Sequence, residues 1–219
     1  MIIVAIDGPA GAGKSTIAKA LAEKLNIRYL DTGAMYRAVT FAALTRDIKP
    51  DDELAVAEIA RRSVMLIDDD SIVIDGVDAT TAIRGPEVTR SVSVVATNSL
   101  VRTELRNRQR QWVSDHGGGV VEGRDIGSVV FPDATLKVYL TASPIVRARR
   151  RVAQSGGDVE QIATEIAERD QRDSSRSDSP LMKTNDSVTV DTSDRAIEDV
   201  VAQLKQLIAT KSADGEFVA

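Results

Sequence analysis

The sequence contains no cysteine. That excludes a disulfide framework and a thiolate metal site, and it suits a reducing compartment such as the cytoplasm. Its one histidine, His116, precedes a run of three glycines in a predicted loop, where a surface role is expected. Long apolar runs are also missing. The opening "MIIVAI" is too short for a signal-peptide core and has no basic region before it, and nothing approaches a membrane span, so no membrane partner is expected. Basic charge is not in excess: 28 Lys and Arg stand against 33 Asp and Glu, a net charge of −5. This argues against a general nucleic-acid coat, and no nucleic-acid partner is expected. Any polyanionic ligand must then be held by locally concentrated arginines and lysines. There is no internal repeat and no low-complexity linker.

What is present reads as α/β. "IIVAI" (2–6), "VVE" (120–122), "LKVYLTA" (136–142) and "VTVD" (188–191) are apolar strand patterns, with a short strand at "RYL". Helical patterns separate them, as in a parallel sheet with crossover helices. Ile17, Leu21 and Leu25 form one stripe, and Ile197, Val200, Val201, Leu204, Leu207 and Ile208 another after a candidate cap at Ser193 or Asp194. Ser143 and Pro144 read as the N-cap and first residue of a further helix. "VMLIDDDSIVIDGVDAT" (64–80) breaks the rhythm: its Asp75-Gly76 pair is a hairpin signal, predicting an antiparallel insert. The tail 211–219 shows no periodicity and is expected to fray.

"GPAGAGKS", Gly8 to Ser15, matches G-x-x-x-x-G-K-[ST] between a predicted strand and a predicted helix, the context a P-loop requires. The expected ATP-binding residues are Gly8, Pro9, Ala10, Gly11, Ala12, Gly13, Lys14, Ser15 and Thr16. Backbone N–H groups and a helix N-terminus cradle the phosphates, Lys14 reaches the β and γ phosphates, and Ser15 offers its hydroxyl to Mg²⁺. No Asn-Lys-x-Asp guanine-reading stretch occurs, so ATP is the expected nucleotide.

Three islands combine hydroxyls, arginines and acids. "DTGAMYR" (31–37) sets Thr32 at a helix start and Arg37 one turn in. "SVSVVATNSLVRTELRNRQRQW" (91–112) is a long helical stretch whose arginines are, by default, mostly a solvated face. In "VVEGRDIGSVVFPDA" (120–134) a buried strand ends in an Arg-Asp pair between glycines, at the place where open α/β sheets bind ligands. A fourth stretch, "ERDQRDSSR" (168–176), puts Arg169, Asp173 and Arg176 on one helical face. Arg172 also follows Arg169 by three, so spacing alone does not say which arginines turn inward.

With these motifs the sequence resembles the bacterial cytidylate (CMP) kinases of the nucleoside monophosphate kinase family. The resemblance runs from "IDGPAGAGKST" through "LDTGAMYR", "EVTRSVSVVATNSLVR", "EGRDIGSVVFPDA" and "LTASPIVRARRR" to "ERDQRDSSR". It implies a P-loop nucleoside monophosphate kinase fold, a central parallel sheet with flanking helices, a β-hairpin-containing NMP-binding insert and a helical lid. The implied layout is one kinase domain over 1–219, with core segments 1–35, 86–148 and 180–210, insert about 36–85, and lid about 149–178 around the flexible "SGG". The implied activity is ATP-dependent phosphorylation of CMP, and of dCMP, with Mg²⁺, by a cytoplasmic monomer. Arg37, Arg124 and Arg169 would hold the CMP phosphate, and Arg176 would lie at the transferred group. Ser93, Arg102 and Asp125 would read cytosine, Asp173 would hold a ribose hydroxyl, and Thr32 would stand near the nucleotide. Glu122 stands where some members have Asp, and no role is assigned to it.

The chemistry agrees. An aspartate accepts from the exocyclic amino group of cytosine but would face a carbonyl in uracil, a mismatch that rejects UMP. Lys14, Arg124, Arg169 and Arg176 are the expected catalytic charges, because phosphoryl transfer needs alignment and neutralisation rather than covalent help. Two alternatives stay open from the residues alone: a shikimate- or gluconate-type kinase, and a P-loop protein that binds ATP without transferring phosphate. Neither has a reason for so many arginines.

Overall fold

The computed structural model describes residues 1–215, with side chains to residue 211. In chain order the elements are β1 (Ile2–Asp7), α1 (Lys14–Leu25), β2 (Tyr29–Asp31), α2 (Thr32–Leu44), α3 (Glu53–Arg62), β3 (Met65–Ile67), β4 (Ile72–Ile74), β5 (Val77–Asp78), α4 (Pro86–Val95), α5 (Ser99–Asp115), β6 (Gly118–Gly123), β7 (Leu136–Thr141), α6 (Pro144–Ser155), α7 (Val159–Ser175), β8 (Val188–Asp191) and α8 (Ile197–Gly215). A π-helical turn, Ile126–Val130, follows β6. The chain divides into two compact units, residues 1–29 with the chain from His116 onward, and Leu30–Asp115.

The first unit is built on the parallel strands β6, β1, β7 and β8, adjacent in that order. β1 pairs in parallel with β6 on one side and β7 on the other, and β7 with β8. The inner strands read as nearly continuous apolar runs because both faces are covered. Ile17 and Leu21 of α1, Val4 and Ile6 of β1, Leu136, Val138 and Leu140 of β7, and Val200, Leu204 and Ile208 of α8 form one core. β1 is the central strand, so its carboxyl end opens where the order of connections reverses. Close packing there dictates Gly8: its φ is +149°, and a Cβ would lie 2.1 Å from the Leu140 carbonyl oxygen. Only glycine fits.

α6 and α7 form an antiparallel pair in the predicted lid region. α6 begins with Ser143 and Pro144 as expected and ends at Gly156, whose φ is +70°. Asp158 caps α7 by accepting from the N–H groups of Glu160 (3.0 Å) and Gln161 (2.9 Å). Ser193 does not cap α8: it lies in a turn, donates to Asp191 (2.6 Å), accepts from the Ser143 N–H (2.8 Å), and the helix starts only at Ile197. α8 continues to Gly215, so residues 211–215 extend the helix beyond the point where periodicity stops, and 216–219 lie outside the described residues.

The second unit contains α2 to α5 and the antiparallel sheet β3-β4-β5. The predicted hairpin is present: Asp75 and Gly76 both have positive φ, 51° and 80°, as a tight two-residue turn between twisted strands requires. The second unit spans the residues of the expected insert, 36–85, together with those on either side of it. α4 packs on α2 and α5 on α3, which draws residues 86–115 into this unit instead of the sheet-bearing core.

Candidate functional site

The P-loop connects the buried β1 to α1. Lys14 is 8% exposed, and its Nζ donates to the carbonyls of Gly8 (2.9 Å) and Pro9 (2.9 Å). Burial, then the neighbouring Arg124 charge, push its pKa down to about 7. Ser15 and Thr16 are exposed in the first turn of α1, and Gly13 precedes it with φ 83°. Gly11 lies against α6, where a Cβ would approach Arg147 to within 2.9 Å. Ala10 is tied on both sides: its N–H donates to Asp170 Oδ1 (3.1 Å) and its carbonyl accepts from Arg147 Nη1 (3.1 Å). The Ala12 carbonyl accepts from Thr192 Oγ1 (3.0 Å).

Arg124, at the carboxyl end of β6, connects this loop to α7. Its Nη1 donates to the Gly8 carbonyl (2.9 Å) and its Nε to Asp173 Oδ2 (2.8 Å). Burial works against both charges, but their mutual attraction prevails, holding the Arg124 pKa above and the Asp173 pKa below their ordinary values. Arg176 Nη1 lies 3.6 Å from Asp173 Oδ1. The charge of Arg169, which is partly buried, acts on both Lys14 and Asp173. Asp125 is 5% exposed, and its carbonyl accepts from Val129 (2.9 Å) and Val130 (3.2 Å) at the π-helical turn.

One stripe of α7 explains this placement. Ile162 and Ile166 pack with Ala148 and with Ala10 of the P-loop, and the same face continues through Arg169, Asp170 and Asp173. The inward face is thus apolar at first and charged near its end. Arg172 is exposed. Geometry therefore resolves what spacing left open among these arginines.

Within the second unit, Thr32 opens α2 behind the N-cap Asp31, which accepts from Ala34 N–H (3.0 Å), and Thr32 is buried. Arg37 donates to the Ile83 carbonyl (3.1 Å) and to Thr89 Oγ1 (2.9 Å). Ser93 is buried on α4. Arg102 is 1% exposed, donates to the Ala96 carbonyl (3.2 Å) and lies 5.5 Å over the Tyr36 ring. A wholly buried arginine is costly, which singles it out from the other arginines of α5.

Three further groups near the P-loop carry no sequence motif, and a fourth, Glu122, is one to which the sequence assigns no role. Asp7 is buried and accepts from two backbone N–H groups. Arg147 and Asp170 pair with each other. Glu122 is buried at the end of β6 and accepts from the Tyr29 hydroxyl. The usable signal was an acid closing a buried strand, seen in both "AID" and "VVE". No comparable signal marked Arg147 or Asp170. Among the described residues no three His, Cys, Asp or Glu gather to hold a metal. His116 is exposed, as expected.

The family described as cytidylate kinase matches residues 4–210. A cytidylate kinase of Mycobacterium leprae (strain Br4923) is 47% identical over 216 residues, 96% of this chain and 97% of the relative. One of Desulforamulus reducens (strain ATCC BAA-1160 / DSM 100696 / MI-1) is 48% identical, over 90% and 92%. Among solved structures, a gluconokinase from Sinorhizobium meliloti 1021 superposes with TM-score 0.53 over 99% of this chain and 96% of its own, at 14% identity, a likeness of fold. With its P-loop, its Arg124–Asp173 pair and this match over nearly its whole length, the chain belongs to the cytidylate kinase family.

Proposed function

We propose that the chain transfers the γ-phosphoryl group of ATP to CMP, and to dCMP, forming the diphosphate and ADP in pyrimidine nucleotide metabolism. The observation that carries this is Arg124, a guanidinium fixed beside the phosphate cradle by the Gly8 carbonyl and by Asp173. An acceptor that is itself an anionic phosphate adds repulsion that such a charge offsets. In-line transfer breaks the bond between the γ phosphorus and the bridging oxygen, which leaves on ADP. It forms a bond from a CMP phosphate oxygen to that phosphorus, and the ionised acceptor has no proton to lose.

Gly8 to Thr16 bind the ATP phosphates, with Lys14 leaving its loop carbonyls for phosphate oxygens. Arg124 and Arg169 hold the CMP phosphate and, with Arg176 at the transferred group, neutralise charge during transfer, while Asp125 accepts from cytosine and Asp173 from a ribose hydroxyl. In the second unit, Arg37 binds CMP phosphate, Ser93 and Arg102 read the base, and Thr32 lies near the nucleotide. The α6–α7 pair acts as the lid that excludes water, and the second unit as the NMP-binding part. Ser15 fits Mg²⁺ as one exposed hard-oxygen ligand that would hold the ion together with ATP phosphate oxygens and waters. The ion supplies charge neutralisation on the phosphates when bound. The proposal extends to a cytoplasmic monomer acting on free nucleotides without nucleic acid or membrane. No helix among the described residues is long and apolar enough to cross a membrane.

A coupled ADP-release assay with CMP, dCMP, UMP, AMP, gluconate and shikimate tests this. CMP and dCMP should be the best acceptors and UMP poor. Release no faster with CMP than without an acceptor would overturn the proposal.

A further inference from the structure

Asp7 ends β1, immediately before the P-loop, and is 6% exposed. Its Oδ1 accepts from the Ile126 N–H (2.8 Å) and its Oδ2 from the Gly127 N–H (2.7 Å). These two N–H groups open the π-helical turn Ile126–Val130, where a helix start leaves donors without intrahelical partners. The side chain of Asp125, the residue before the turn, makes no capping bond there. The cap is therefore supplied from another strand, 119 residues away in sequence. The backbone of Asp7 also sits opposite Gly123 in the β1–β6 ladder. Asp7 thus holds the chain on both sides of Arg124 and Asp125, through its backbone before them and its carboxylate after them. π-Helical turns are rare and concentrate at functional sites.

We propose that Asp7 is a positioning residue for phosphoryl transfer: it clamps the segment carrying Arg124 and Asp125 and so fixes both against the P-loop that it precedes. This rests on the CMP kinase function proposed above. A carboxylate is required because both partners are donors. Asparagine offers one acceptor oxygen and would turn its NH₂ toward the other N–H. The clamp acts on the residues assigned to the acceptor: both bonds of the Asp7 carboxylate go to Ile126 and Gly127, outside the Gly8–Thr16 loop assigned to ATP. Its loss should consequently fall on CMP more than on ATP.

The test is Asp7→Asn, with steady-state kinetics for CMP, the affinity for a fluorescent ATP analogue, and the Tm. We expect kcat/KM for CMP to fall at least about tenfold, one lost charged hydrogen bond, while ATP-analogue affinity changes less than about threefold. Asp7→Glu, which keeps two acceptor oxygens one methylene further out, should recover part of the CMP efficiency, and it carries the same comparison if Asp7→Asn does not fold. Equal losses for CMP and for the ATP analogue, tracking the Tm, would make Asp7 merely structural and overturn the clamp. Unchanged CMP kinetics would overturn it as well. Wild-type turnover of CMP separates the two claims: its absence overturns the proposed function, whereas turnover with an indifferent Asp7→Asn overturns only the clamp.

Discussion

Helices α5 and α7 are each 17 residues long, with four arginines in α5 and two in α7, and their arginines do different work. In α5, Arg108 donates to the carbonyls of Ser63 (2.7 Å) and Arg61 (3.0 Å), closing the carboxyl end of α3, and pairs with Glu104. Arg106 reaches Thr103 on its own helix. These are internal braces of the second unit, and only Arg102 is drawn fully inside. In α7 the inward groups are Arg169, Asp170 and Asp173, and their partners and electrostatic neighbours are Ala10 and Lys14 of the P-loop, Arg147 and Arg124. Arginine content does not pick out the helix that serves the P-loop, since α5 has four arginines and α7 two. What separates a brace from a ligand group is the identity of its partner.

The largest effect expected on this contrast is at Lys14. Lys14→Ala should lower turnover by about a thousandfold, a lost transition-state charge, with the fold intact by circular dichroism. Retained activity would remove Lys14 from the mechanism. The lysine also predicts a proton linkage. Burial lowers its pKa in the fold to about 7, so the unfolded chain binds more protons between about 7 and 10.5, and stability gains from Lys14 as pH rises across that window. Phosphate binding reverses the shift. ATP binding at pH 8 should therefore take up close to one proton, read from calorimetry in buffers of different ionisation enthalpy. Uptake that persists in Lys14→Met would assign it elsewhere.

Next comes Asp173→Ala, which strands the buried Arg124 charge. A stability loss of about 3 kcal/mol is expected in urea, with CMP turnover reduced further than stability explains. Arg108→Ala should cost about 1 to 2 kcal/mol, two carbonyls left without their donor, while turnover per folded molecule stays unchanged. A loss of turnover there would erase the distinction between the two helices. Smallest is Arg172→Ala on the exposed face of α7, expected within about 0.5 kcal/mol and without effect on CMP kinetics.

The parts legible in sequence were those written in short-range pattern. β1, β6, β7 and β8 showed as apolar runs, the hairpin as Asp75-Gly76, and the P-loop as its own glycine spacing. Spacing put Arg169, Asp173 and Arg176 on one face, but choosing among neighbouring arginines required the packing of Ile162 and Ile166 to set which way α7 turns. The packing of α4 on α2 and of α5 on α3 leaves no local trace in the sequence. Asp7 escaped for a similar reason. As a lone acid after "IIVAI" it carries no motif, and its two partners lie more than a hundred residues onward.

The place of β1 in the sheet has a dynamic corollary. Flanked on both sides by hydrogen-bonded strands and buried at Val4, Ala5 and Ile6, it belongs to the portion of the molecule that opens only when the whole unit unfolds. The phosphate cradle is anchored to that slowest-opening element, whereas the α6–α7 pair is joined by Gly156 and Gly157 in conformations that glycine adopts freely. Amide exchange at Ala5 therefore reports the global equilibrium. Nucleotide bound to the native state should slow it by the same free energy as it adds to overall stability, however much the helices move.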